Sequence, residues 1–211
     1  MARGLAHDHD EKRAAIRKGA AAYFAAHGYD RASMAGAAAA CGVSKALIYH
    51  YHDSKEALLY DILEAHLSDL VRVVDAALAE TSDLAPDLRL RALIQAILAA
   101  YRDADAEHKL QIDALATLPE ARRTPLVMLQ RRLVDALSGV LAEAAPGLDH
   151  APNLRPVTMS VFGMLNWFYI WHRPGHGMSR SDYGDLVTDM VLGGIAAVSA
   201  PPQAPSRNRP A

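Results

Sequence analysis

Apolar residues recur every three or four positions along most of the chain, and this spacing predicts helices rather than strands. The first such stretch covers residues 8–27, where Ile16, Ala20 and Phe24 share one face. Gly28 follows as a residue that typically ends a helix. No stretch alternates between apolar and polar residues as a half-buried strand does, so the pattern predicts an all-α protein.

Eight further helices follow from the same spacing and from the punctuation by Ser, Gly and Pro. Two short ones cover residues 34–41 and 45–51, and a long one runs from Lys55 to about Thr81. The predicted total is nine helices, three in an N-terminal head and six in a body. The apolar positions that mark the last five are Leu88–Tyr101, Leu110–Leu118, Leu126–Leu141, Val157–Trp171 and Ser179 to about Val198.

Composition and charge fit a soluble protein with an uneven charge distribution. Of 211 residues, 51% are hydrophobic and 22% are charged, and the formal net charge is −2. Residues 1–56 carry eight Lys/Arg against six Asp/Glu, whereas the remainder carries fourteen against eighteen. A mildly basic head on an acidic body is compatible with one end of the protein facing phosphate groups.

Residues 33–58 have the form of a helix-turn-helix. A serine cap, a short alanine-rich helix, the Gly42 turn, a second cap at Ser44 and a second short helix follow one another. The small residues Ala38 and Cys41 allow the two helices to approach closely across the turn. By itself, a serine-capped helix after a glycine also occurs in other α-proteins.

If the unit binds DNA, its second helix enters the major groove and its first residues meet the base edges. Lys45 is then placed for guanine or phosphate, and Ala46 and Leu47 for thymine methyl groups. Tyr49 and His50 lie one turn further on. Ser33 and Lys55 begin helices, where hydroxyl, backbone N–H and helix dipole favour a phosphate. The predicted DNA-binding residues are Ser33, Ser44, Lys45, Ala46, Leu47, Tyr49, His50 and Lys55.

The stretch from Gly28 to Leu58 resembles the DNA-binding head of TetR-family transcriptional regulators. The matching positions are Gly28-Tyr29, Ser33, Ala38, Gly42-Val43-Ser44, Ile48-Tyr49, Tyr51, Ser54-Lys55-Glu56 and Leu58. Three positions depart from the family pattern: Ala37 replaces a bulkier residue, Cys41 replaces Ala, and His52 replaces an aromatic. These departures suggest a slightly under-packed head.

The resemblance implies a three-helix helix-turn-helix domain at 1–54 and a six-helix ligand-binding and dimerisation domain at 55–200. Residues 201–211 have little apolar surface to bury, which predicts a disordered tail. It also implies a repressor that binds palindromic operator DNA as a homodimer, paired through the last two long helices. A small-molecule effector then releases the DNA.

The effector class is suggested by residues 162–180, FGMLNWFYIWHRPGHGMSR. They resemble a segment of TetR regulators that respond to acyl-CoA thioesters, and residues 108–123 resemble the phenylacetyl-CoA-responsive members. Such a ligand needs an apolar channel and cations for its phosphates. The predicted ligand-binding residues are Tyr101, Gln111, Leu115, Met128, Arg132, Phe162, Asn166, Trp167 and Arg173. Aromatics at helical spacing are also the ordinary content of a core or a dimer interface.

Other chemistry is sparse in the sequence. No phosphate-cradling glycine loop, nucleophile elbow or metal-ligand set is recognisable, so neither an enzyme nor a cofactor is expected. The single cysteine and the lack of a long apolar segment fit a cytoplasmic protein without a membrane span. The alternatives are a constitutive DNA-binding regulator without an effector and a small helical enzyme with an incidental head.

Overall fold

The computed structural model describes residues 2–145, 147–148, 153–173 and 175–199, with side chains described between residues 9 and 195 of these ranges. Within them the regular elements are helices, apart from one two-residue bridge between Arg173 and His176. The predicted all-α class and the nine α-helices are confirmed. The helices are α1 (Ala2–His27), α2 (Met34–Ala40), α3 (Lys45–Tyr51), α4 (Lys55–Glu80), α5 (Pro86–Ala100), α6 (Asp105–Ala114), α7 (Glu120–Ala144), α8 (Leu154–Trp171) and α9 (Arg180–Ser199).

The boundaries differ from the prediction mainly at the N-terminus. Helix α1 begins at Ala2 rather than near residue 8, since the Ala, Arg and Leu of residues 2–6 favour helix. A single 3₁₀ turn, Leu115–Thr117, extends α6. The predicted disordered tail at 201–211 lies outside the described residues.

The chain forms two compact units. The first comprises residues up to Asp75 together with Ala99–Leu133, and so combines α1–α3 and most of α4 with α6 and the first half of α7. Apolar side chains from these helices form its core, since Phe24, Ile48, Leu63 and Leu110 are all buried. Each such burial contributes about 1.5–3 kcal/mol.

The second unit comprises Ala76–Leu98 and the chain from Val134 onward. Its helices α5, α8 and α9 are joined by polar contacts at their surfaces. Arg91 on α5 lies 2.8 Å from an Asp185 oxygen and 2.5 Å from an Asp189 oxygen on α9. The Tyr183 hydroxyl donates to the Met164 carbonyl of α8 at 3.0 Å. Within the described ranges, no helix has both the length and the apolarity needed to cross a membrane.

Candidate nucleic-acid interface

Both short helices of the head begin with the serine caps that the sequence predicts. The Ser33 hydroxyl accepts from the Gly36 N–H at 3.1 Å, and the Ser44 hydroxyl accepts from the Leu47 N–H at 3.1 Å. Each serine is extended and its side chain satisfies one N–H that the helix leaves unpaired. These caps fix the first residue of α2 and of α3.

The helices of the head pack closely because small residues stand at their contacts. A Cβ atom at Gly36 would overlap the Tyr23 hydroxyl of α1, so any larger residue here would force the Tyr23 side chain to move. Gly42 has φ +65°, which allows the tight turn from α2 to α3. Cys41 faces α1, where its thiol donates weakly to the Ile16 carbonyl at 3.5 Å. Burial raises the pKa of the Cys41 thiol, which keeps it protonated and poorly reactive.

Helix α3 presents a polar, exposed face above a single buried anchor. Ile48 is completely buried in the head. The exposed residues around it are Ser44, Lys45, Ala46, Tyr49 and His50, with Leu47 half-buried. The Lys45 ammonium lies 5.9 Å from the centre of the Tyr49 ring, so the two side chains share one side of the helix. The predicted base-contacting residues are therefore accessible together on one short helix.

Lys55 is the first residue of α4, as the sequence predicts, and its side chain is bound to the loop after α1. Its ammonium donates to the carbonyl oxygens of Tyr29, Asp30 and Ala32 at 3.0, 3.3 and 3.1 Å. It also lies 4.5 Å from the centre of the Tyr29 ring. Because the three ammonium hydrogens have three carbonyl acceptors, the side chain joins α4 to the loop after α1 and does not reach toward a phosphate.

Replacing Lys55 with methionine should lower the free energy of unfolding by about 1–2 kcal/mol. The methionine keeps the length of the side chain and loses the charge-assisted hydrogen bonds to the loop. Urea denaturation would measure the change. Lys45→Met is the matched control, because Lys45 is exposed and should change stability by no more than about 0.5 kcal/mol. Equal effects of the two changes would contradict the role given to Lys55.

A buried polar cluster holds the end of α3, and we call it the Asp61 cluster. Asp61 on α4 accepts from His52 Nε2 at 2.8 Å and from Arg13 Nε and Nη2 at 3.0 and 2.5 Å. Arg17 Nη1 lies 3.6 Å from the same carboxylate. His52 is the C-terminal cap of α3, and its side chain is buried.

The Asp61 cluster involves one of the three positions that depart from the family pattern. His52 is buried there and gains a carboxylate partner in place of the packing that an aromatic provides. Burial alone raises the pKa of Asp61, but the hydrogen bonds from His52 and Arg13 and the charges of Arg17 and Arg13 outweigh it, so the pKa is lowered. The carboxylate therefore stays ionised, and α1, α3 and α4 meet around it.

Comparisons with known proteins agree with this geometry. Residues 16–62 match the model described as bacterial regulatory proteins of the tetR family, and residues 83–195 match the tetracyclin repressor-like C-terminal domain. The second match covers more than half of the chain. The chain belongs to the TetR family. It is a TetR-family transcriptional regulator, with the helix-turn-helix in its first matched region.

Individual TetR relatives are similar along nearly the whole chain. A regulator from Bordetella parapertussis is 30% identical, with a TM-score of 0.80, over 90% of this chain and 98% of that one. AibR, solved in complex with isovaleryl coenzyme A and operator DNA, is 27% identical, with a TM-score of 0.72, over 85% of this chain and 97% of that one.

A curated TetR relative matches over a shorter stretch. The HTH-type transcriptional activator FasR of Mycolicibacterium smegmatis is 37% identical over 87 residues, which is 41% of this chain and 39% of FasR. The match thus spans well under half of that relative.

The residues predicted to bind a ligand in the TetR body fall into both compact units. In the first unit, Tyr101 packs against His108 with ring centres 4.4 Å apart. Leu115 is buried as well. Gln111 is half-buried on α6. Met128 is 52% exposed, and Arg132 pairs with Asp75 at 2.8 Å.

In the second unit, Phe162 is buried and Asn166 is half-buried on α8. Trp167 is 57% exposed, and Arg173 is exposed in the loop that follows. The structure therefore groups Tyr101 with buried polar residues, and leaves Met128 and Trp167 on the surface of the chain.

Sequence reasoning missed two sets of residues. One is the Asp61 cluster, and the other is the pair His66 and His108, whose buried rings lie 6.1 Å apart. A signal was present for both α4 residues, because Asp61 and His66 interrupt the apolar stripe that runs from Leu58 to Val74. A charged or polar residue on such a stripe needs a partner when it is buried.

Proposed function

We propose that this regulator binds palindromic operator DNA as a homodimer, that it acts as a repressor, and that an acyl-CoA thioester releases it. The observation that carries the DNA-binding part is the exposed face of α3 above the buried Ile48 anchor. A TetR head with this face accessible has the elements that major-groove recognition needs. Residues 1–54 are proposed as the DNA-binding domain and residues 55–200 as the ligand-binding and dimerisation domain.

In the proposed complex, Lys45 donates to guanine acceptors or phosphate, while Ala46 and Leu47 contact thymine methyl groups. Tyr49 and His50 contact the neighbouring bases or phosphates. Ser33 and Ser44 contribute at the N-terminal ends of α2 and α3. The phosphate contact expected of Lys55 passes to its backbone N–H, since its ammonium is occupied by the Tyr29–Ala32 carbonyls.

The proposed homodimer forms through α8 and α9 of the second unit. Large apolar side chains stand exposed on both helices: Met159, Trp167, Ile170, Trp171, Leu186 and Met190. Several are spaced by three or four residues, and added side chains at Gly163, Gly193 and Gly194 would meet open space. An apolar face of this kind marks a protein interface, and a two-fold dimer pairs the same face with itself. Two half-sites of a palindrome mirror that symmetry.

The proposed effector class rests on two similarities. Residues 162–180 resemble the segment found in acyl-CoA-responsive members, and AibR was solved with isovaleryl coenzyme A. The residues proposed to bind it are the nine named from the sequence. FasR is named as an activator. Whether this protein represses or activates transcription is therefore tested separately, with a promoter–reporter assay. An enzymatic role is not proposed, and the protein is proposed to act in the cytoplasm.

The DNA-binding proposal is tested by selecting duplexes from a random pool and measuring the affinity of the selected site. Lys45→Ala and Tyr49→Ala should each weaken binding about five- to tenfold, because each removes one contact worth about 1 kcal/mol or more. Arg131→Ala on α7 is the control and should leave affinity unchanged. Selection of no duplex, or unchanged affinity in both α3 variants, would refute the proposal.

The dimer proposal predicts that Trp167→Glu weakens self-association at least tenfold. The change places a carboxylate in an interface core, which such cores exclude. Sedimentation equilibrium measures the effect. Leu88→Glu is the matched control, because Leu88 is also an exposed apolar residue of the second unit but lies on α5. A wild-type protein that sediments as a monomer would refute the dimer itself.

The effector proposal is tested by calorimetric titration with isovaleryl-CoA and phenylacetyl-CoA, followed by the same titration against the protein–DNA complex. Binding that lowers DNA affinity supports a ligand-released regulator. If neither thioester binds, the constitutive regulator without an effector becomes the better description. A promoter–reporter assay with and without the protein then separates repression from activation.

A further inference from the structure

A cavity of about 420 Å³ lies in the first compact unit, and none of the sequence-predicted ligand residues lines it. Its walls come from α1, α4, the end of α5 and the following turn, and α6. Ile62, Leu70 and Val73 supply apolar surface on one side. The volume lies in the range of small-molecule sites, which is about 300–1,000 Å³.

The polar part of this cavity is rich in cations. Arg17 and Lys18 of α1, Arg72 of α4 and Arg102 of the turn line it, against the carboxylates of Asp69, Asp103 and Glu107. Arg72 contacts Asp69 with both side chains exposed, whereas Lys18 contacts Glu107, whose side chain is only 13% exposed. An exposed pair contributes little, so a ligand with negative charge displaces Asp69 from Arg72 at small cost.

Two further features support a ligand-binding role for this cavity. His66 lines it, and among the described residues its buried Nε2 has no hydrogen-bond partner. A buried polar atom left in this way loses the hydrogen bonds that it would make in water. Asp103 has φ 61°, the one positive value at a described residue other than glycine, and its carbonyl accepts from Lys18. Backbone in this left-handed region is uncommon outside glycine, and here it turns the Asp103 carbonyl toward Lys18.

Arg17 belongs both to this cavity and to the Asp61 cluster. Its guanidinium lies 3.6 Å from Asp61, farther than Arg13, which makes two hydrogen bonds to the same carboxylate. Asp61 in turn holds His52, the cap at the end of α3. Arg17 is thus easier to move away from Asp61 than Arg13 is. Of the two arginines, Arg17 is the one that lines the cavity and can contact a ligand there.

We propose that this cavity binds the phosphate groups of an anionic small molecule, and that occupancy draws Arg17 away from Asp61. Withdrawing Arg17 leaves a buried carboxylate with less compensating charge, which makes the packed arrangement of α1, α4 and the end of α3 around Asp61 less stable. The ligand then loosens the DNA-contacting helix from within the same unit. The inference rests on the proposed function in that a CoA thioester is the expected source of the phosphates.

The binding half of the proposal is tested by calorimetric titration of the whole protein with isovaleryl-CoA and, separately, with inorganic pyrophosphate. Arg102→Ala should weaken isovaleryl-CoA binding at least tenfold while the protein remains folded, since Arg102 is exposed. Arg17→Lys keeps a charge beside Asp61 and should weaken binding by a smaller factor. Arg131→Ala, which changes an exposed arginine of the same unit outside the cavity, should leave binding unchanged.

These titrations separate the two hypotheses. No binding of isovaleryl-CoA or phenylacetyl-CoA to the wild type, with pyrophosphate bound in an Arg102-dependent manner, would keep the anion site and overturn the acyl-CoA effector. Isovaleryl-CoA binding that is equal in wild type and Arg102→Ala would keep the effector and overturn this site. Failure of both thioesters and of pyrophosphate to bind would overturn both.

The coupling between the cavity and α3 is tested by amide hydrogen exchange of α3 with and without isovaleryl-CoA. Ligand should raise exchange in residues 45–51 of the wild type at least threefold. His52→Phe restores the aromatic of the family pattern and removes the contact to Asp61, so it should bind ligand as well as the wild type does and show no ligand-dependent change in α3. An equal response of α3 in both proteins, or none in the wild type, would overturn the coupling.

Discussion

Replacing Asp61 with alanine should lower the free energy of unfolding by about 3 kcal/mol. The change leaves the cations of Arg13 and Arg17 and the buried ring of His52 without their shared acceptor. Removing one partner of a buried ion pair typically costs about 3–5 kcal/mol, and the lower end applies because Arg13 reaches solvent. Urea denaturation at neutral pH measures the loss.

The matched control is Asp69→Ala on the same helix. Asp69 also pairs with an arginine, Arg72, but both side chains are exposed, so the loss should stay below about 1 kcal/mol. Similar losses in the two variants would show that burial does not set the strength of the Asp61 cluster. Acid gives a second measure. Because the pKa of Asp61 is lowered in the folded protein, its stabilisation is present above the pKa of an unfolded aspartate and is lost as the pH falls through the lower folded value.

The head could be predicted from sequence because its signals are local. A capping serine, a glycine with positive φ and a buried apolar residue lie within a few positions of one another in α2 and α3, and each acts on its own neighbours. Such short-range signals do not depend on where the rest of the chain lies. Ile48 is the buried residue of this seven-residue helix, and Lys45, Tyr49 and His50 are exposed around it.

The hydrogen-bond partners of the Lys55 side chain could not be predicted from such local signals. A lysine at the start of a helix has the same local pattern whether it meets a phosphate or a carbonyl. Its acceptors belong to the loop at residues 29–32, more than twenty positions earlier, and only the packing of α4 against that loop brings them within 3.3 Å. Arg13, which donates to Asp61 from α1, is 48 positions away, and it could not be predicted as a partner for the same reason.

The body was harder to predict because the same spacing of apolar residues occurs in several different environments. Apolar residues on α7 and α8 repeat in the same way whether they face a core, a second subunit or a ligand. Met128 and Trp167 are apolar and nevertheless exposed, whereas Tyr101 is buried against two histidines. Composition alone does not separate these environments, since each is apolar and each accepts aromatic side chains.

Lowering the pH from 7 to 5 should destabilise the wild type by about 2 kcal/mol more than it destabilises His66→Leu. Burial, the neighbouring His108 and the charge of Lys18 lower the pKa of His66 from 6.5 to about 3. Between these values the unfolded chain binds a proton at this residue and the folded protein does not. Stability therefore falls as the pH drops below about 6.5, by up to about 1.4 kcal/mol per pH unit.

Urea denaturation of both proteins across this pH range measures the difference, because every group other than His66 titrates in each. His176→Gln, which removes an exposed histidine, is measured alongside as the control for the loss of a histidine. Leucine is close to histidine in size, and the His66→Leu variant should keep the fold at pH 7. Parallel stability curves for the wild type and His66→Leu would mean that His66 accepts a proton in the folded protein, and that the cavity beside it is open enough to hydrate a charged imidazole.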